Sequence, residues 1–281
     1  MREDELQRFR AEVVAKRNLP TIPPVLASIL AILSSDTAGA RQLVEVIEKD
    51  QSLTAKLLKL ANAAFFGQPR RVATIPRAIL LLGFTTVRNL ALGVKVWDTL
   101  GGRIEKERLA ALWDHAVVVG SCARGLGGGL RACDPDEAFT AGLLHDIGRL
   151  VMAGKFGPLY WETVDAATLD DPDWEREQAT FGVDHADVGA WVLEAWNLPA
   201  IIVESVRLHH RGTARGGLPR VLAVTVALLR HTDLATATVA DTAAPLFAAT
   251  EVDGLTAATW CGLVERLRDS GALQGLGEAW R

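Results

Sequence analysis

Cysteine is scarce: Cys122, Cys133 and Cys261 are the only three in 281 residues, and no two form a CxxC pair. An odd, scattered set excludes a disulfide framework and a zinc ribbon, leaving small buried or half-buried thiols. No apolar run approaches the ~20 residues that a membrane-spanning helix needs. The opening Met1-Arg2-Glu3-Asp4-Glu5 carries both signs of charge and no apolar leader core, so a cytoplasmic protein is expected. Charge of neither sign dominates. A net charge of −4 argues against general nucleic-acid binding and against anionic membranes. Period-two alternation is nearly absent, which excludes a large sheet.

What is present is apolar content at helical spacing. With 49% hydrophobic and 23% charged residues, the chain buries a sizeable core, and its length allows two lobes. Val25, Leu26, Ile29, Leu30 and Leu33 recur at three- and four-residue steps, as do Leu43, Val44 and Ile47, and then Leu53, Leu57, Leu60, Ala61 and Ala64. Breakers at 34–39, 67–76, 101–102, 154–158, 170–172 and 211–219 fit short helix connections. There is no internal repeat.

The spacing predicts an all-α, two-lobe helical bundle. Residues 1–18 read as a charged leading helix, 19–102 as an N-terminal helical lobe, 103–235 as a second bundle and 236–281, with Trp260 and Trp280, as a C-terminal helical tail. Gly101-Gly102 is the internal boundary. The apolar run from Ile79 to Trp97 is expected to pack on both lobes as one shared helix, with Ile79, Leu82, Leu90, Val94 and Trp97 buried at the junction.

Two local features invite ligand readings. Arg70, Arg71, Arg77 and Arg88, with Phe65 and Phe66 just upstream, are of the types that stack on bases and pair with phosphates. A solvated face beside core aromatics is the preferred account. Gly125-Leu126-Gly127-Gly128-Gly129 is no phosphate loop, because no strand precedes it and no Lys-Ser/Thr follows; it reads as a helix terminus and loop.

The histidines are the chemistry. Five of six belong to one ordered series: His115, the pair His145-Asp146, His185, and the pair His209-His210 supply imidazoles and one carboxylate from four helical segments. That is the material of a hydrolytic transition-metal site. Asp134 with Pro135 starts a helix that ends in the His-Asp pair and is closed by Gly148. His185 precedes the apolar positions Val188, Val192 and Leu193; Pro199 opens a helix whose Ile202 and Val206 lead to His209 or His210; Val119 follows His115 by one turn. Each imidazole thus shares a stripe with core residues, where a ligand inside a bundle must sit. His231, outside the series, reads as an ordinary hydrogen-bonded residue.

The order and its flanks resemble the HD superfamily of metal phosphohydrolases, and more closely its divergent HDOD branch. Leu19-Pro20-Thr21-Ile22-Pro23-Pro24, the stretch from Asp50-Gln51-Ser52-Leu53 to Leu60-Ala61-Asn62, Phe65-Phe66-Gly67, and the stretch from Ala78-Ile79-Leu80 to Arg88-Asn89-Leu90 resemble the HDOD lobe. The resemblance covers roughly 19–210 and implies an HDOD lobe packed on an HD-like bundle. It places His115, His145, Asp146, His185, His209 and His210 on the positions that hold metal in HD hydrolases, with Asp146 the one candidate for a catalytic role. Where a cofactor is held, the resemblance implies a divalent transition metal: iron, manganese or zinc.

Two departures weigh against catalysis. HD hydrolases use a further Asp after the last histidines, but 211–232 contains no Asp or Glu; Val226 or Arg230 stands in that neighbourhood, and Asp233 comes later. With one carboxylate instead of two, a pair of divalent ions is poorly compensated, and an inward Arg230 would repel metal. The Gly-Tyr-Pro motif of cyclic-dinucleotide phosphodiesterases of the HD-GYP type is also missing: the stretch is Arg211-Gly212-Thr213-Ala214-Arg215-Gly216-Gly217-Leu218-Pro219, and the sole tyrosine is Tyr160. The expectation is therefore a bacterial signalling module that binds a partner protein or a nucleotide-like ligand between its lobes, with Arg88 at the rim, and without turnover. The alternative is a metal-dependent phosphohydrolase acting on cyclic dinucleotides or nucleotides.

Overall fold

The computed structural model describes residues 3–14, 22–35, 37–64, 72–164, 173–211, 216–249 and 252–270. Nearly all of them are helical, as the three- and four-residue spacing requires. Phe65, Phe66, Arg70, Arg71 and Trp280, named above, lie outside the described residues.

The N-terminal lobe consists of α2 (Pro24–Leu33), α3 (Ala40–Glu48), α4 (Gln51–Ala64), α5 (Ile75–Leu82) and α6 (Phe84–Gly101). Leu26, Ile29, Leu43, Ile47, Leu53, Leu57 and Leu60, taken from the apolar stripes, meet in its core. Pro24 occupies the first turn of α2, where its missing N–H loses nothing, and the Thr74 hydroxyl caps α5 by accepting from the Arg77 amide.

The apolar run 79–97 is not one helix, contrary to the expectation from its hydropathy. Gly83, at φ +87°, ends α5 and begins α6, and the two axes bend by 119°. The left-handed backbone that glycine permits explains why an uninterrupted apolar stretch turns a corner here. Leu90, Val94 and Trp97 are buried, whereas Ile79 and Leu82 are only half-buried.

The second bundle is built from α7 (Lys106–Gly129), α8 (Pro135–Leu144), α9 (Ile147–Phe156), α10 (Pro158–Thr163), α11 (Asp173–Phe181), α12 (His185–Ala195), α13 (Ala200–Leu208) and α14 (Gly217–Leu229). Helix α6 packs on α2 and α4 on one side and on α8 and α9 on the other. Trp97 lies edge-on to Trp113 with ring centroids 5.7 Å apart, and its Nε1 donates to the Leu143 carbonyl at 3.0 Å. Asn89 Nδ2 donates to the Asp136 carbonyl at 3.1 Å. Polar bonds therefore fix the register of a contact that hydrophobic burial alone would leave free to slide.

The leading helix α1 (Glu3–Val14) packs against α12. Phe9 and Val13 are buried there, Phe9 lying edge-on to Phe156 and Trp191, while Lys155 pairs with Glu12 at 2.9 Å. After α14 come two short antiparallel strands, β1 (Thr232–Asp233) and β2 (Thr238–Val239), then α15 (Ala244–Ala249) and α16 (Ala257–Asp269). Helix α16 packs on α7, and the buried Trp260 donates through Nε1 to Thr232 Oγ1 at 2.9 Å. The glycine run 125–129 forms the last turns of α7, and a Cβ on Gly125 would meet Leu263 of α16. No single described helix is long and apolar enough to cross a membrane.

Candidate metal centre

The Asp134 carboxylate accepts from the Asp136 and Glu137 amides and starts α8, which runs to Leu144; His145 caps its end and Asp146 begins α9. Gly148 does not close that helix, as its position after the His-Asp pair suggested. It lies in the first turn of α9, where a Cβ would come within 1.9 Å of the His185 carbonyl oxygen and 2.7 Å of the Gly189 nitrogen. The missing side chain lets α9 and α12 touch backbone to backbone, which carries His185 to Asp146. Gly142 and Gly120 allow a similar approach of α8 to α7, the helix bearing His115.

Asp146 is the hinge of the cluster. Its Oδ2 faces His145 Nε2 at 3.4 Å and His115 Nε2 at 3.9 Å; its Oδ1 faces His185 Nε2 at 3.1 Å and His209 Nε2 at 3.8 Å. His210 Nε2 lies 2.9 Å from His185 Nε2. All six residues of the series are thus brought together in two groups that share Asp146, and within each group the candidate ligand atoms lie within 4.8 Å of one another. His115 and His210 are half-buried; the other four are buried.

The rings are aimed from behind. His145 Nδ1 donates to the Gly142 carbonyl at 2.8 Å, and His209 Nδ1 donates to the Val206 carbonyl at 2.6 Å. Each bond leaves a neutral ring with its Nε2 lone pair pointing inward, as a metal ligand requires. His185 Nδ1 faces Glu177 Oε2 at 2.6 Å. Asp146 Oδ1 is fully buried with no aligned hydrogen bond despite its close imidazole neighbours. Inward lone pairs and an orphaned carboxylate oxygen fit a divalent cation, with His115, His145 and Asp146 as one possible holder and Asp146, His185 and His209 as another.

Charge in the site follows from burial and from a second layer of groups. Burial lowers His115 to about 3, helped by His145, so this imidazole is neutral. Burial also lowers His145, His209 and His210. His185 goes the other way: burial and Arg149 oppose its charged form, but Glu177 and Asp146 outweigh them and raise it to about 9. Burial disfavours the Asp146 anion too, yet Arg149 and His145 overcome this and hold it well below the usual carboxylate range.

Four residues of this layer had no distinctive pattern in the sequence. Arg149 Nε lies 3.1 Å from Asp146 Oδ2, and its Nη1 donates to Asp173 Oδ2 at 3.2 Å. Glu177 accepts from the Tyr160 hydroxyl at 2.6 Å and from the His185 amide at 2.7 Å, besides facing the His185 ring. Arg149 falls three residues after Asp146, a spacing that does place both on one helix face. Nothing in the spacing ties Asp173, Glu177 or the lone tyrosine to the histidines.

At the open side, Arg230 follows α14 and points inward. Its Nη2 donates to His210 Nδ1 at 2.7 Å. Because Nδ1 accepts, the proton of a neutral His210 sits on Nε2, 2.9 Å from His185 Nε2, which accepts it when the His185 ring is neutral with its own proton on Nδ1 toward Glu177. When His185 carries its extra proton, Asp146 Oδ1 is the acceptor within reach. His210 is therefore a donor in this arrangement rather than a ligand. Val226, Leu229, Arg230 and Leu234 cover His115, His145 and Asp146 around a cavity of about 140 Å³. Arg88 is not part of this wall: its Nε donates to Asn89 Oδ1 at 3.2 Å, and its guanidinium lies over Phe84. His231 Nδ1 is 3.1 Å from Thr242 Oγ1.

The HDOD domain model matches residues 19–212. The chain belongs to the HDOD domain family. This HDOD protein is 28% identical over 196 residues to an uncharacterized protein of Treponema pallidum (strain Nichols), a match spanning 69% of this chain and 38% of that relative's length. Among solved structures, its fold is similar to a candidate phosphohydrolase from Shewanella amazonensis SB2B, with TM-score 0.73, 22% identity and coverage of 96% of this chain and 98% of the other. It is also similar to an HDOD domain protein of unknown function from Geobacter sulfurreducens, with TM-score 0.68, 21% identity and coverage of 96% and 98%. A candidate signal-transduction protein from Marinobacter aquaeolei VT8 has TM-score 0.68 and 24% identity over 93% of this chain and 60% of its own. At these identities the structural matches establish the helical fold.

Proposed function

We propose that this HDOD protein is a bacterial regulatory module that works in the cytoplasm by binding a ligand or partner protein, without turning over a substrate. The observation that carries this reading is the hydrogen bond from Arg230 to His210 Nδ1 at 2.7 Å. A fixed cation stands at the mouth of the histidine cluster, in the neighbourhood where hydrolases of this fold would need a second carboxylate, and it converts one potential ligand into a donor. Arg149 compensates the one carboxylate that both ligand groups share. Two divalent ions in that space would meet two guanidinium groups and a single ligating anion.

One ion is chemically better matched. The inward Nε2 lone pair of His145, with His115 and Asp146 offering ligand atoms within 4.8 Å, favours a second reading, a mononuclear phosphohydrolase. A bound divalent cation would there act as a Lewis acid on water. His145, oriented by the Gly142 carbonyl, and Asp146, oriented by Arg149, would hold it.

The two readings separate on purified protein. Divalent-metal content is measured first, followed by product analysis with cyclic dinucleotides and generic phosphodiesters in added manganese or iron. The regulatory reading expects less than one ion per chain and no product. Stoichiometric metal with steady hydrolysis, both lost in His145→Ala and Asp146→Ala, would overturn it.

A further inference from the structure

A separate cavity of about 310 Å³ lies on the far side of His210, between the end of α13, a half-buried face of α14 and α15. Arg220, Ala223, Ala227 and Arg230 follow one another at three- and four-residue steps, so α14 turns a single stripe toward this space, with small side chains in the middle and a guanidinium at each end. Arg211 adds a third guanidinium, paired behind the wall with Asp184 and Asp187, and no carboxylate occurs among the described residues of the wall itself. Leu246 of α15 closes the apolar side.

The cations are positioned by the fold. Arg211 is bonded to both Asp184 and Asp187, at 3.1 Å and 2.5 Å. Arg220 donates to the Ala249 carbonyl, and Arg230 donates to the His210 ring. Anchored guanidinium groups lose little side-chain entropy when an anion arrives, and their planar forks match phosphoryl oxygens.

We infer that this cavity is a binding site for a small organic phosphate of about mononucleotide size. The guanidinium groups of Arg220 and Arg230 at the two ends of the stripe suit a phosphoryl dianion better than a single carboxylate, with Arg211, its charge compensated by Asp184 and Asp187, as a further hydrogen-bond donor, and the floor of Ala223, Val224 and Ala227 accepts a compact apolar or planar group. The volume is near the lower end of the roughly 300–1,000 Å³ typical of ligand pockets, which favours a mononucleotide over a cyclic dinucleotide. Because Arg230 and His210 border both this cavity and the histidine cluster, an occupant would bear directly on the hydrogen bond that fixes the His210 proton. The inference rests on the regulatory reading in that the ligand is held and not consumed.

Calorimetric titration of the full chain with 5′-mononucleotides, inorganic phosphate and the matching unphosphorylated nucleosides tests it. Saturable binding of at least one mononucleotide is expected, with the nucleoside failing to bind. Arg220→Gln should weaken it at least about tenfold, as should Ala227→Leu, which fills the slot. Arg41→Gln, at an exposed pair with Glu45, should leave it unchanged, and thermal melts establish that each variant is folded. No mononucleotide binding, or binding indifferent to both cavity variants, overturns the site while leaving a protein-binding regulator intact. Hydrolysis of the bound nucleotide would instead overturn the regulatory reading while leaving the pocket in place.

Discussion

Arg230 and His210 are joined by a 2.7 Å hydrogen bond in which the guanidinium holds the imidazole Nδ1, so the His210 proton faces His185 instead of a metal. Replacing this cation with a carboxylate reverses both effects. Arg230→Asp should raise manganese or iron retained by the purified protein above that of the parent, as measured by elemental analysis. An unchanged metal content in a folded Arg230→Asp variant would show that Arg230 does not control the site.

Arg149 is buried between Asp146 and Asp173. Arg149→Leu would remove the guanidinium from the buried Asp146 and leave Asp173 with only the half-exposed Arg176, a change that destabilises by about 3–5 kcal/mol when a buried pair is broken. Arg176, about half-exposed on its pair with Asp173, provides the contrast: Arg176→Ala should cost less than about 1 kcal/mol. Urea unfolding of both variants measures the difference.

Gly148 sets the distance between α9 and α12. Gly148→Ala places a Cβ 1.9 Å from the His185 carbonyl oxygen, so the helices must separate. A loss of about 1–3 kcal/mol is expected, as for other overpacked sites. Gly154→Ala in the same helix meets nothing within 4 Å and should be neutral or slightly stabilising through helix propensity.

The shared helix α6 should make the two lobes a single cooperative unit. Trp97→Ala removes the fully buried indole and its bond to Leu143, and should cost about 3–5 kcal/mol. Calorimetry and tryptophan fluorescence should still give one coincident transition in the parent protein. Two separate transitions would make the lobes independent.

Acid should weaken the attachment of α6 to the start of α4. Burial alone would raise Asp50, but the hydrogen bond from Lys95 at 2.8 Å and the Leu53 amide lower it below its ordinary value. A depressed carboxylate stabilises the fold fully above its unfolded value and loses that contribution as pH falls through the folded value. Asp50→Asn should therefore cost about 1 kcal/mol at neutral pH, and the gap to the parent should close below about pH 4. Melting curves between pH 2 and pH 7, values chosen to span roughly the carboxylate range, read this directly.

The sequence by itself determined the helical class, the helix starts at Asp134 and Pro199, and the six residues that meet around Asp146, because periodicity and capping are local and place each imidazole on a core-facing stripe. It also marked the missing carboxylate after His210. Hydropathy could not reveal the corner at Gly83, since an apolar run looks the same whether straight or bent. Only the tertiary structure decided that Arg230 turns inward and that Glu177, Tyr160, Asp173 and Arg149 form one buried layer behind His185 and Asp146. Those contacts depend on how α9, α11, α12 and α14 cross, and a crossing permitted by the absence of a side chain at Gly148 has no periodic signature in the chain.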